Sequence, residues 1–369
     1  MVAGVTVGLA GLYLLPAEAG AAQVAAPAAA TYKAAGGLNG VAAASASNAW
    51  AVGYAGSLAG PKLLMVHWNG KSWTRVTSPK ILDGTAGTLS AITVVSAKDA
   101  WAVGTIGSGL GHALLLHWNG QSWSQVTSVA AIGGGLYGVT ATASSAWAVG
   151  VNLTDTSIAP LVLRWNGKAW SRASAKLNPS TQGESILTGV AVTGAKTAWA
   201  VGYSSQGIPT AVLARWNGST WSTDTSFPFN GGVDRSLAGV AIGPGGTAFA
   251  VGRGETGSFS NGTSVPISMR WTGKTWVTAT VSAAPKNSQF SAVTFAPGGT
   301  GWATGYKYTA TATSGLIWRW TSKTWASAAV PAGTGQLSGL GFAASANGWA
   351  VGTTGADTLI LHWNGHVWS

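Results

Sequence analysis

Residues 50–73 read WAVGYAGSLAGPKLLMVHWNGKSW. A Trp-Ala-Val-Gly tetrapeptide opens the stretch and a Trp-Asn-Gly-x-x-Trp motif closes it. Both recur along the chain. The tetrapeptide begins at Trp50, Trp101, Trp147, Trp199 and Trp349, with variants FAVG at Phe249 and WATG at Trp302. The closing motif begins at Trp68, Trp118, Trp165, Trp216 and Trp363, with looser copies at Trp271 and Trp320. Together they use all but one of the 21 tryptophans, leaving Trp318. Seven copies spaced by about 50 residues mark a repeat architecture, in which each unit buries its apolar face against the next.

Each repeat holds four short runs of β-branched, aromatic and small residues bounded by Gly, Asn, Ser or Pro, as in Leu38–Ala44, Ala49–Tyr54, Leu63–Trp68 and Ser72–Val76. No window keeps a 3.6-residue apolar period. The expected fold is therefore all-β, a seven-bladed β-propeller of four-stranded antiparallel blades. Repeats start near 38, 89, 136, 187, 237, 290 and 337. The third position of the first run is always small: Gly40, Ala91, Gly138, Gly189, Gly239, Ala292 and Gly339. That suits an innermost strand, where seven backbones crowd an axis. The Asn-Gly between paired tryptophans is expected to form a two-residue hairpin turn, both residues accepting positive φ.

The G-x-[ST]-W ends of the repeats (GKSW at 70–73, GQSW at 120–123, GSTW at 218–221, GKTW at 273–276) resemble the end of the Asp-box of sialidase-type propellers. The GWAVG-like strands resemble the repeats of photosystem II assembly-factor-like propellers, and the H/R-W-N-G-x-x-W form resembles secreted bacterial propellers. The leading Asp of the Asp-box is absent. The resemblance covers residues 38–369 and implies the fold; of activity it implies little.

Composition excludes several classes. Charged residues make up 8% of the 369 and Gly numbers 54, unlike charge-rich, aromatic-poor disordered chains. There is no Cys, hence no disulfide framework or thiolate site. Residues 2–15 are apolar and uncharged, followed by Pro16 and A-x-A sites, so 1–21 is expected to be a signal peptide, too short to span a bilayer. Residues 22–36 are expected to be an Ala-rich linker and 37–369 the propeller. The protein is then secreted or associated with the cell envelope, with no membrane span after signal removal.

Spacing separates two faces. First apolar residue to WAVG aromatic is 12 residues in six repeats and 11 in the third; Trp to Trp in the hairpin is always 5. The other two connections range from 11 to 19 and from 12 to 17 residues. Alternate turns of an up-and-down blade share a side, so the variable connections form one face, where sites on rigid scaffolds concentrate. The net charge of +11 does not sit there. Seven acids (Asp83, Asp155, Glu184, Asp224, Asp234, Glu255, Asp357) balance seven bases on the variable side. The constant side carries Lys71, Lys98, Lys168, Lys196, Lys274 and Lys323 against Asp99 alone, and six Arg lie on strands.

Candidate ligand residues are those that break the repeat on the variable face. Tyr54, Tyr203, Arg253 and Tyr306 follow the WAVG glycine; Asp234 and Arg235 sit in a long loop beside Phe227 and Phe229; Glu255 lies in the longest insertion, 253–265. The residue before each motif Trp is His67, His117, Arg164, Arg215, Arg270, Arg319 or His362. Such a ring could stack sugars, as the Arg, Glu and Trp sites of fungal fucose-binding propeller lectins do, but no acid recurs in register. Packing of a cation or imidazole over an indole is the preferred reading.

The expected function is an exported, non-catalytic binding propeller that recognises an extracellular glycan or protein through its variable face, as a monomer, with its lysines against an anionic cell-wall polymer. A glycoside hydrolase or lyase, pairing Asp234 with Glu255 or Glu184 at the required 5–10 Å or so, is the first alternative. An assembly or scaffolding factor is the second. No cofactor or metal is expected, since the five His show no ligand spacing with acids. Nucleic acid is not expected either, because the tryptophans are periodic core rather than exposed platforms.

Overall fold

The computed structural model describes residues 32–369 apart from 82–85, 108–110, 155–156, 178–184, 195, 205–207, 227, 229–233 and 257–261. The signal segment and most of the expected linker, 1–31, lie outside the described residues.

The chain forms seven antiparallel sheets whose strands lie in sequence order, one sheet per repeat. Blade 1 comprises Gly36–Ser45, Asn48–Ala55, Lys62–Trp68 and Trp73–Arg75. The WAVG strand is second and buried along its motif, because each face lies against a neighbouring sheet. Two blades gain a fifth strand. Ala175–Lys176 runs parallel to the outer strand of blade 4, and Thr280–Val281 to that of blade 6. In both, the tail leaving one blade crosses the rim of the next before turning inward. The last blade has three full strands plus a bridge from Trp363 to Trp368.

The axis explains the small third residues. A Cβ on Gly138 would sit 3.0 Å from the Gly189 Cα, one on Gly189 3.1 Å from the Gly239 Cα, and one on Gly339 3.0 Å from the Gly40 Cα. That last contact joins blade 7 to blade 1 and closes the ring. Tyr32–Gly36 adds to the closure: Thr358 N–H donates to Ala34 O (2.9 Å), Gly36 N–H to Ala356 O (2.8 Å), and Lys33 pairs with Asp357 at 3.2 Å.

Every inner strand carries a β-bulge just before its small residue, so Asn39, Ser90, Tyr137, Thr188, Ala238, Ser291 and Ser338 swing toward the axis. They line a central channel of about 230 Å³. Opposite each bulge stands the WAVG glycine, and there the backbones come too close for a side chain. A Cβ on Gly202 would overlap the Ile186 carbonyl oxygen.

The Asn-Gly turn differs from the two-residue hairpin expected. Trp68 pairs directly with Trp73, so the loop spans four residues. Only Gly70 has positive φ (+93°). Asn69 contributes its side chain, Oδ1 accepting from Lys71 N (2.9 Å) and Ser72 N (3.0 Å), and Asn119, Asn166, Asn217 and Asn364 do the same. Asn is there to cap two amides, an Asx turn, rather than to reach left-handed backbone.

Gly202→Ala is expected to destabilise the protein by about 2–4 kcal/mol in chemical denaturation, through forced separation of the first and second strands of blade 4. Gly60→Ala, where a Cβ meets nothing within 4 Å, should change stability by less than ~0.5 kcal/mol.

Candidate functional site

Between blades, the sequence motifs meet in a repeated wedge. Trp50 of blade 1 lies 5.0 Å from Trp118 and 5.3 Å from Trp123 of blade 2, the latter edge-on at 85°. Trp101, Trp147, Trp199, Phe249 and Trp302 repeat the arrangement, and Trp349 meets Trp68 and Trp73 of blade 1 at 6.1 and 5.9 Å. The residue before the first hairpin Trp covers this wedge. Arg164 stands 5.2 Å from the rings of both Trp147 and Trp216, Arg215 5.2 Å from Trp199 and 5.1 Å from Trp271, and His117 stacks on Trp101 at 4.0 Å. The tryptophans that open the repeats are at most 4% exposed, leaving no indole face for a sugar. The slot is a packing device.

The slot also has a partner that the sequence reading missed. His67, His117 and His362 reach Asn48, Asp99 and Asn347 at 3.2, 3.0 and 3.0 Å, each two residues before the WAVG Trp. Where the slot is Arg, that position is Ser145, Thr197, Thr247 or Thr300. The co-variation was visible in the repeats. One His does therefore meet an acid, His117 with Asp99, but as a structural pair.

On the variable side, the seven residues after the WAVG glycine form a ring around the channel mouth: Tyr54, Thr105, Val151, Tyr203, Arg253, Tyr306 and Thr353. Arg253 organises one side of it. Its Nη2 donates to Asp234 Oδ2 at 2.8 Å and its Nε to Ser236 Oγ at 3.3 Å. The Asp234 side chain is 8% exposed, and its Oδ1 is buried without a hydrogen-bond partner among the described residues. Across the blade boundary, Tyr306 feels the Arg253 charge, which favours its ionised form, but burial outweighs this and pushes the Tyr306 hydroxyl above its ordinary pKa. Tyr308 lies beside it, ring centroids 6.4 Å apart.

Tyr137 lines the channel and neighbours Tyr203. It is the one aromatic among the bulge residues, and burial together with neighbouring Tyr203 raises its pKa. Sequence reasoning missed Tyr137, Ser236 and Tyr308, although Tyr137 breaks its repeat position as clearly as Tyr203 does. The other candidates are less central. Tyr54 leans on Gly37 beside Thr353 at the boundary of blades 7 and 1, away from this group. Arg235 opens a strand, Arg235–Ile242, and donates its N–H to Pro209 O; burial lowers its pKa. Glu255 is not in a loop: the second strand of blade 5 runs Ala248–Thr256 and includes it, with its N–H on Asp234 O at 2.9 Å. Asp83, Asp155, Glu184, Phe227 and Phe229 lie outside the described residues. A separate cleft of about 450 Å³ opens between blades 6 and 7, lined by Trp302, Arg319, Val330, Pro331, Trp363 and His366 among others.

Among solved structures, the chain is similar to YCF48 from Cyanidioschyzon merolae (14% identity, 92% of this chain and 97% of that one, TM-score 0.55). It is also similar to the BP39L lectin from Burkholderia pseudomallei (10% identity, 92% and 98% covered, TM-score 0.58) and to a polysaccharide lyase of family PL25, an ulvan lyase (9% identity, 91% and 96% covered, TM-score 0.57). At these identities the likeness is one of fold. By sequence, the chain matches no family model and no curated protein. No helix among the described residues is long and apolar enough to cross a membrane.

The slot histidines predict a pH dependence. Burial lowers the pKa of His67 and His362 from 6.5, so the folded state favours neutral imidazole. The unfolded chain then binds more protons, and stability is full above pH about 6.5 and falls as pH drops through it. The thermal midpoint should decline on acidification across that window, and the His67→Gln/His362→Gln pair should flatten the decline.

Proposed function

We propose that the protein is an exported, non-catalytic recognition propeller that binds an extracellular glycan at the variable-side mouth of its channel, acting as a monomer. The observation that carries the reading is the pair of tyrosine clusters on this side: Tyr306, with Tyr308 beside it, next to the Arg253–Asp234 pair, and Tyr137 next to Tyr203. Blade packing does not require Tyr203, Arg253 or Tyr306, since the equivalent positions of other blades hold Thr105, Val151 and Thr353, nor Tyr137, whose equivalents include Ser90 and Ala238. Tyrosines give flat apolar rings with a polar tip, and a guanidinium with a carboxylate offers fixed donors and acceptors for vicinal hydroxyls. That a lectin and a polysaccharide lyase are built on like folds is compatible with this reading and does not by itself carry it.

Hydrolysis or elimination is the second reading, and Asp234 is the acid it would use beside Glu255. Asp234 is already engaged by Arg253 through Oδ2 at 2.8 Å, and its side chain is buried away from substrate. A glycan array run beside a turnover screen separates the two. Binding without turnover, weakened at least tenfold or so by Tyr203→Ala with Tyr306→Ala, is expected. Turnover that disappears in Asp234→Asn or Glu255→Gln would establish the enzyme instead.

A further inference from the structure

The lysines of the constant face follow a rule that packing does not explain. Each blade has two turn positions on this side: the residue after the hairpin glycine (Ser322 in blade 6), and the residue three before the WAVG aromatic. In blades 1, 2 and 4 the hairpin glycine lies against the second of these. A Cβ on Gly120 would lie 3.0 Å from the Lys98 side chain, one on Gly218 3.5 Å from that of Lys196, and one on Gly70 2.9 Å from the Ser47 Cβ.

Lysine occupies one of the two positions, and never both, in six blades. Lys71, Lys168, Lys274 and Lys323 take the hairpin position in blades 1, 3, 5 and 6. In blades 2 and 4 that position is Gln121 or Ser219, and there Lys98 and Lys196 supply the charge from the adjoining turn. Blade 7 has His366. All six lysines are exposed, and none has an ion pair among the described residues. The only acid in these turns, Asp99, is bound to His117 at 3.0 Å. A scaffold role would fix the position of each lysine; here the position changes and one charge per blade remains.

We propose that this face docks on the planar surface of an anionic lipid bilayer. Seven blades around one axis put equivalent turns on one rim, so a flat surface meets all the charges together, whereas a linear polyanion crosses only some of them. Juxtaposed lysines near an anionic leaflet add their attractions and are screened within a Debye length of about 8 Å at physiological ionic strength. The large apolar side chain exposed among the described residues on this side is Val367, so the contact is electrostatic and reversible. Docked in this way, the protein turns its variable face outward.

Co-sedimentation with phosphatidylglycerol–phosphatidylcholine vesicles tests the proposal, with pure phosphatidylcholine vesicles and soluble heparin as the other arms. Expected are binding to the anionic vesicles only, loss of binding at high salt, and a roughly fivefold drop in affinity for each of Lys71→Gln, Lys168→Gln and Lys274→Gln. Lys62→Gln and Lys307→Gln on the variable side should leave it unchanged, and thermal melts should match throughout. Binding insensitive to lipid charge or to the three constant-side substitutions would overturn the proposal. Retention by heparin without vesicle binding would also overturn it, in favour of a soluble polyanion.

Discussion

The wedge of three aromatic rings at each blade boundary is what the rest of the structure depends on. A single blade leaves one face of its WAVG strand and its opening Trp in water; only the next blade's hairpin pair covers them. Edge-on approach, as between Trp50 and Trp123 at 85°, lets a positive ring edge meet a negative ring face, and the flat indoles fill a gap that widens away from the axis. Near the axis the same boundary must narrow to backbone contact, which demands Gly or Ala. Large outside and small inside is one geometric requirement met seven times, and it fixes the order of residue sizes along every repeat.

That requirement also sorts the charge. The cation or imidazole over each wedge completes the packing, so the four slot arginines, Arg164, Arg215, Arg270 and Arg319, belong to the scaffold. The constant-side turns are short because they join strands whose ends are fixed by the wedge. The variable-side connections are free of that restraint. The second strand runs two to four residues past its obligatory glycine, and at the ring of positions just after that glycine side chains can differ without disturbing the blades. Tyrosine, arginine, threonine and valine share these positions, and the Asp234 partner of Arg253 is tied to the same sheet, because the Glu255 N–H donates to its carbonyl oxygen.

How much of this was legible in the sequence follows from which features the packing repeats. Blade number, strand count and the two faces could be read because Trp, Gly and spacing recur. The Asn-Gly turn was misread because backbone preference was weighed and the Asn side chain, which caps Lys71 and Ser72, was not. The fifth strands at Ala175–Lys176 and Thr280–Val281 were invisible, since a two-residue parallel pairing leaves no periodicity. Glu255 was assigned to a loop because blade 5 has the longest insertion, yet its strands simply extend. Tyr137 and the Asn or Asp partners of the slot histidines stand at fixed repeat positions, but they vary in polarity from blade to blade, so size alone does not mark them.

The central claim is that recognition belongs to the variable-side mouth in blades 3 to 6 while the indole wedges serve only to hold the ring. Hydrogen–deuterium exchange on the intact protein, with and without a glycan it binds, tests this most directly. The account predicts protection confined to 136–138, 203–204, 234–236, 253–256 and 306–308. Protection at the wedge segments 164–170 or 215–221, or in the cleft of Arg319 and Trp363, with the mouth unchanged, would contradict it.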